Sequence, residues 1–347
     1  MLSTFLDKAG GLLNRRFLVA YWFPTLFAAL LLLLPRALVY GLDATWRWWA
    51  GLVPPQDYGG EGSPQLVLLA GSLLLITLIA YLLQAFTRPL VRTYEGYTWP
   101  FPLRRWAAGR VARRWQALKR ERSEAARQND VACYAHRQDQ LHHGYPDRAE
   151  LLLPTRLGNV LRAAEGYGGR AYGMDAPFWW PRLWPLLPEK HQAAVDDGLT
   201  TMVSLLNFAT LMIYVMVDVV LYLSGCRIPH RAWWAAGALA LGGLLCFAAY
   251  RGAVAQARGY GQQIRTAIDL YRFELLKALH LPLPAAPQEE RALWSRLAAW
   301  LYNNDLGAVR ELVYDVRMPD QEAKGTGEET MEGEEIIRSL WQRLWGK

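Results

Sequence analysis

Cysteine is scarce: Cys133, Cys226 and Cys246 are the only three in 347 residues. That count excludes a disulfide-framed secreted scaffold and a zinc site made only of cysteines from one chain. Catalytic signatures are missing as well. The chain has no G-x-S-x-G, no H-E-x-x-H, no nucleotide-binding fingerprint and no lone cysteine with an evident histidine partner. A triad assembled from distant positions stays open, since such sets form in space and not in sequence. The most informative shortage is of charge. Charged residues make up 20% of the chain and mean hydropathy is +0.01, an average that suits a soluble protein. The charges are nevertheless absent from four long stretches, and what fills those stretches decides the class.

Phe17 to Leu34 reads FLVAYWFPTLFAALLLLL, with no charge between Arg16 and Arg36. A second gap lies between Glu61 and Arg88, a third between Asp197 and Arg227 broken only by Asp218, and a fourth between Arg231 and Arg251. Each reaches the roughly 18 apolar residues that mark a spanning helix. The spans are read as 17–34, 65–86, 201–224 and 232–250. The first is too long for a signal-peptide core and no small-residue cleavage pattern follows it. Pro24 inside it predicts a kink.

Loop charges set the expected orientation. With both termini inside, 34 of the 38 Lys and Arg residues are cytoplasmic, a strong positive-inside bias. The aromatics agree. Trp46, Trp48, Trp49, Trp233 and Trp234 fall at the outer boundary, and Tyr94, Tyr97 and Trp99 at the inner one. The expected localisation is a multi-pass protein of a cell inner membrane.

The remaining pieces read as cytoplasmic. Residues 1–16 form an amphipathic N-terminal helix, with Gly10 and Gly11 weakening it. Residues 17–87 make a first transmembrane hairpin, 88–200 a basic helical insert and 201–250 a second hairpin. Residues 251–317 follow as cytoplasmic helices, 318–335 as an acidic disordered linker and 336–347 as an amphipathic helix. The fourth span is expected to run on, because Ile264, Ile268, Tyr271, Leu275 and Leu279 recur at helical spacing until Leu281–Pro287 stops them. The terminal helix, on its flexible tether, suits docking of a cytoplasmic partner or a membrane surface.

Within the insert, residues 104–122 hold eight Lys and Arg against one acid, Glu121. Arg104, Arg105, Arg110, Arg113, Arg114, Lys119 and Arg120 are expected to meet anionic lipid headgroups, at about 1 kcal/mol per cation. No nucleic-acid partner is expected, since positive-inside bias already explains a basic segment here. If the stretch after Asp130 is helical, His136, Asp139 and His143 fall on one face, chemically adequate for a divalent metal. Polar helix faces produce such triplets freely, and no established spacing is matched. Otherwise no cofactor is expected. Thr155 can cap a helix after Pro154, and Gly166, Gly168 and Gly169 are expected to end it. Phe178, Trp179, Trp180 and Trp184 precede the third span closely enough to read as interfacial docking. Asp175 and Arg182 could pair locally.

The third span carries a polar stripe. Thr200, Ser204, Asn207, Leu211, Tyr214 and Asp218 recur every three or four residues along one face. A carboxylate there costs several kcal/mol unless protonated, paired or hydrated. Two readings stand. Several subunits could line an ion path with an acidic ring at Asp218. Alternatively, the polar groups are hydrogen-bonding glue between helices, with Arg227, Arg231 or Tyr222 near Asp218. On the fourth span, Ala235, Ala238, Gly242, Cys246 and Ala249 form a small-residue stripe that permits close helix approach.

The run PTRLGNVLRAAEGYGGRAYGMDAPFWWPRLWPLLPE at 154–189, with the preceding pair of spans, resembles a group of uncharacterised bacterial multi-span inner-membrane proteins. The resemblance implies a bacterial inner-membrane setting and no particular chemistry. The expected fold is an all-α integral membrane protein: four transmembrane helices, a helical cytoplasmic insert and a helical C-terminal region, expected to form homo-oligomers. Three functions compete. The first is an oligomeric channel-like or signalling effector with a cytoplasmic sensing domain. The second is a non-conducting scaffold or anchor that docks a partner. The third is a metal-dependent membrane enzyme at His136–His143.

Overall fold

The structure, a computed structural model, describes residues 14–41, 43–45, 47, 51, 64–225 and 230–314. The readings of residues 1–13, 318–335 and 336–347 lie outside the described residues, as do those of Trp46, Arg227 and their masked neighbours. Among the described residues every regular element is helical.

Helix α1 begins at Arg15–Phe17, passes through a π-helical turn at Leu18–Trp22 and continues as Phe23–Tyr40. Next come α2 (Pro64–Ala85), α3 (Thr87–Glu95), α4 (Phe101–Arg127) and α5 (Val131–Gly144). Three short helices follow, α6 (Arg156–Glu165), α7 (Tyr167–Tyr172) and α8 (Ala176–Leu183). The chain ends its described part with α9 (Glu189–Gly225), α10 (Arg231–Ala278) and α11 (Pro287–Asn303). Helices α1, α2, α9 and α10 are long and apolar enough to cross a membrane.

Two of these far exceed a bilayer. At 1.5 Å per residue, the 37 residues of α9 extend about 55 Å and the 48 of α10 about 72 Å, against a hydrocarbon core of about 30 Å. The third helix therefore starts at Glu189, twelve residues before the expected span. The fourth carries through Ile264 and Leu275 to Ala278, where the Leu281–Pro287 segment ends it as the sequence predicts. Helices α9 and α10 form the most extensive helix pair in the fold. Small residues let them approach. A Cβ on Gly242 would collide with the Met216 side chain, and one on Gly252 would sit 3.2 Å from Leu205.

Beyond the apolar segments, α9 and α10 carry a helical head. Its main core joins residues from both sides of the hairpin: Met174, Trp179, Leu183 and Leu187 pack with Ile264, Ile268, Leu276, Trp294 and Leu297. The end of the insert, from Met174 to Leu187, therefore shares a core with the helices after 251. The Phe178–Trp184 cluster differs from its sequence reading for the same reason. Trp179 is fully buried and meets Trp294 edge-on at 5.0 Å, so it is core and not an interfacial belt. The partly buried Phe178, Trp180 and Trp184 pack around it. Arg182 stacks on Phe178 and donates to its carbonyl, with no ion pair to Asp175 among the described residues.

Local signals explain the joints. Thr155 caps α6 by accepting from Gly158 N at 3.0 Å, and its hydroxyl donates to Glu95 O at 3.0 Å, clamping α6 onto α3. Helix α6 ends at Glu165, before Gly166, but Gly168 and Gly169 lie inside α7 instead of terminating α6. A Cβ on Gly168 would be 2.6 Å from Met174 O, so the residue is small because backbone passes against it. Pro100 and Pro102 start α4: Pro100 is its N-cap and Pro102 lies in its first turn, where a missing N–H costs nothing.

The first hairpin is looser than the second. Helix α1 packs mainly on α9 and touches α2 less. Trp22 Nε1 donates to Thr77 Oγ1 at 3.1 Å, Phe17 stacks on Tyr81 at 4.4 Å, and Thr87 donates to Tyr21 Oη. The rest of α2 presents Leu74, Leu75, Leu78 and Leu82 outward.

Candidate functional site

The polar residues of α9 do not stay together as a stripe. Tyr214 is 59% exposed on the outer face of α9, and Leu211 and Thr200 are half-buried. Ser204, Asn207 and Asp218 instead all meet α1. The reason lies in α1. Pro24 has no N–H, so the carbonyls one α-turn and one π-turn before it, Ala20 and Val19, lose their in-helix donors. A π-helical turn occupies Leu18–Trp22, closed by Phe23 N donating to Leu18 O. Ser204 Oγ then donates to Val19 O at 2.8 Å and Asn207 Nδ2 to Ala20 O at 2.8 Å. The neighbouring helix thereby satisfies the backbone that proline leaves open. The expected kink has become a docking seam.

Asn207 is fully buried, so its bond to Ala20 cannot be replaced by water. Asn207→Leu is expected to cost about 1–2 kcal/mol, the penalty of an orphaned carbonyl, measured as chemical unfolding in micelles. Pro24→Ala in that background should recover part of the loss, because alanine would supply the missing N–H. No recovery would refute the proline explanation.

Asp218 lies at the other end of the seam. Its Oδ2 is 3.2 Å from Arg36 Nη1 and its Oδ1 3.5 Å from Arg36 Nη2. Arg36 Nη1 also donates to Leu32 O at 2.5 Å, and the guanidinium stands 4.9 Å over the Tyr222 ring. The charge partner is therefore Arg36, 182 residues earlier in sequence. Of the expected neighbours, Tyr222 takes part through Arg36, and Arg227 lies outside the described residues. One carboxylate and one fork-shaped cation neutralise each other here. The small-residue stripe faces the same bundle: Ala235, Ala238 and Cys246 pack with Met212, Val215 and Val219.

In the head, His136, Asp139 and His143 do not converge. His136 Nε2 meets the Gln140 amide at 2.9 Å, whereas His143 Nε2 lies 3.3 Å from Asp139. His143 Nδ1 is engaged by the Arg265 guanidinium, which also donates to His142 O at 2.9 Å. Arg265 is almost fully buried. Burial first, and then Arg170, lower its pKa to about 10. Burial and then Arg265 pull His142 down to about 4, so its ring is neutral at pH 7. Arg265 thus holds the Nδ1 side of His143, and Nε2 faces Asp139 without His136. Among the described residues no three His, Cys, Asp or Glu side chains group closely enough for a metal ion.

Sequence reasoning missed a second network. Tyr167 and Tyr172 both donate to Asp269 Oδ1 at 2.8 Å. Arg272 pairs with the buried Glu290 at 2.8 Å, and Trp294 Nε1 donates to the same carboxylate oxygen at 3.2 Å. Near α3, burial and then Glu165 raise Glu95 to about 7. The Asp269–Arg272 signal was hidden because those residues sit on a helix face that sequence alone leaves without neighbours.

The basic face of α4 is exposed at Arg104, Arg105, Arg113 and Arg120. Lys119 stands 3.6 Å over the Trp115 ring and Arg110 4.9 Å over Trp106. Arg114 reaches Glu121 at 3.5 Å. The apolar face of α4 is used inside the head: Trp115 and Leu118 pack on Leu141. Comparison with protein-family models, with curated proteins and with solved structures found no match to this chain.

Proposed function

We propose that this chain is a non-conducting anchor of a bacterial inner membrane, with both termini in the cytoplasm. It holds a rigid helical head against the membrane surface, where a protein partner docks. One observation carries the reading: the buried Asn207 and the neighbouring Ser204 of α9 are bonded to α1 of the same chain, and Asp218 is paired with Arg36. Two others support it. Helix α10 passes unbroken from its apolar segment into the head core, and Met202, Val203 and Leu206 of α9 pack on Leu157, Val160 and Leu161 of α6, which ties the head to the bundle. Lys and Arg are concentrated on the segments that build the head, in the sense of the positive-inside rule. Residues 336–347 remain the proposed docking element, and homo-oligomers remain compatible through the exposed face of α2.

The channel-like reading needs Asp218 to face a water-filled path. The Arg36 contact disfavours it, since a conducting ring would have to break that pair or draw current past a neutralised site. Purified protein in planar bilayers should be silent across voltage and pH, and Asp218→Asn should leave it silent. A conductance that Asp218→Asn abolishes would overturn the anchor reading and restore the channel.

A further inference from the structure

A cavity of about 360 Å³ opens where the first turn of α6 wedges between α4, α5 and α10. Arg110, Arg114, Arg156 and Arg258 line it, with Gln140, Asn159 and Tyr145, and no carboxylate is in its wall among the described residues. A second cavity of about 260 Å³ shares Arg156 and Arg258 and adds Arg251, Phe247, Tyr250 and Val254. Five guanidinium groups from three helices thus surround two adjoining hollows.

Their charges are poorly compensated. Among the described residues, only Arg114 of the five has a carboxylate within ion-pair distance, and that Glu121 also serves Arg137. The carboxylate that acts on Arg258 is Asp139, which is already beside His143. Partial burial and then repulsion from Arg156 lower the Arg258 pKa, although its side chain still reaches solvent. The site is also held in place. Tyr250 Oη accepts from Leu157 N, and Asn159 spends its amide on Leu153 and Thr155, which fixes the turn bearing Arg156.

Depth points to the source of the missing anion. Arg251 is the first charge after the uncharged run 232–250, and Arg258 lies seven residues further, about 10 Å along α10. That interval runs from the edge of the hydrocarbon core through the headgroup layer, which is about 5–8 Å thick on each side. On the bilayer side, Phe247 lines the second cavity and is exposed, as is Leu244 one turn earlier.

We propose that these adjoining cavities bind a phosphate group, that of an anionic phospholipid whose acyl chains lie along Phe247 and Leu244. Guanidinium groups suit this ligand because each can offer two parallel N–H donors to phosphate oxygens. The site differs from general attraction to the basic face of α4: Arg156, Arg251 and Arg258 come from other helices and converge on one volume. It does not depend on the anchor reading, because a conducting protein could hold the same lipid.

The test uses the full chain in neutral detergent, with native mass spectrometry as readout and three probes: phosphatidylglycerol, phosphatidylcholine and inorganic pyrophosphate. Phosphatidylglycerol should be retained over phosphatidylcholine. Arg156→Gln with Arg258→Gln should weaken its retention by about tenfold or more, the loss of charge-assisted bonds. Arg156→Lys with Arg258→Lys should fall between, since charge remains without the fork. Arg127→Gln with Lys277→Gln removes the same charge far from the cavities and should change nothing. All four replaced residues are exposed, and unchanged far-ultraviolet circular dichroism will show that the variants fold. Pyrophosphate binding lost in the Gln pair, without an effect on phosphatidylglycerol, would keep the phosphate site and assign it to a soluble anion. Retention of both anionic probes by the Gln pair, equal to that of the parent chain, would overturn the proposal, as would binding of neither probe.

Discussion

Trp294→Ala is expected to unfold the head while leaving the apolar bundle assembled. Trp294 is fully buried, stacks edge-on against Trp179 and donates from Nε1 to Glu290. Alanine would leave a cavity where α8, α10 and α11 meet. It would also remove one of the two side-chain partners that the buried Glu290 has among the described residues; Arg272 would remain. Truncations of this kind cost about 3–5 kcal/mol, a large fraction of the roughly 5–15 kcal/mol that holds a typical domain together. The effect should be local, because the head core and the contacts between α1 and α9 are separate clusters. Limited trypsin digestion is the direct readout. Cleavage after Arg272, Lys277 or Arg291 should accelerate strongly, while sites flanking α1 and α2 keep their rate. Trp106→Ala is the matched control, as that ring is 59% exposed. Equal protease resistance in Trp294→Ala and the parent chain would contradict a shared core between the insert and the later helices.

Arg36→Ala is expected to be the most damaging change in the bundle. It strands Asp218 as a carboxylate within an otherwise uncharged helix segment and removes the cation over Tyr222. Removing one partner of a buried pair costs about 3–5 kcal/mol. The lower end applies here, about 3 kcal/mol, because about a quarter of each side chain remains exposed. Asp218→Asn should cost less, since a neutral amide can still accept from Arg36. Arg36→Ala combined with Asp218→Asn should be closer to Asp218→Asn alone than to the sum of the two. That non-additivity is the signature of a direct interaction. Chemical unfolding in mixed micelles gives the four stabilities. Strict additivity would mean that the two side chains do not pair, and would return Asp218 to the free intramembrane acids.

These two predictions fall on either side of what was legible in the sequence. The four apolar helices were legible because a bilayer imposes its requirement locally: about twenty consecutive apolar residues suffice, whatever they later touch. The continuation of α10 to Ala278 and the Thr155 cap were equally visible, one from helical periodicity and the other from a hydroxyl three residues before a free N–H. The close approach of α10 to α9 was foreshadowed by Ala235, Ala238 and Gly242, because small side chains leave room without specifying the neighbour.

Partnership, by contrast, was settled in three dimensions. Asp218 read as structural glue somewhat more than as a pore acid, and its role depends on which helix faces it. Arg36 lies 182 residues away, and no local rule connects them. The Trp179 cluster read as an interfacial belt because tryptophan and proline next to a span look the same in either setting. The return of Trp294 from much later in the chain turned it into a core. His136, Asp139 and His143 share one helix face, but His136 turns to Gln140 and Arg265 arrives from another helix at His143 Nδ1. Where the apolar helices lie followed from the residues alone, since that depends on the solvent around each segment. Which polar groups meet followed from the fold, since that depends on how helices distant in sequence turn their faces toward one another.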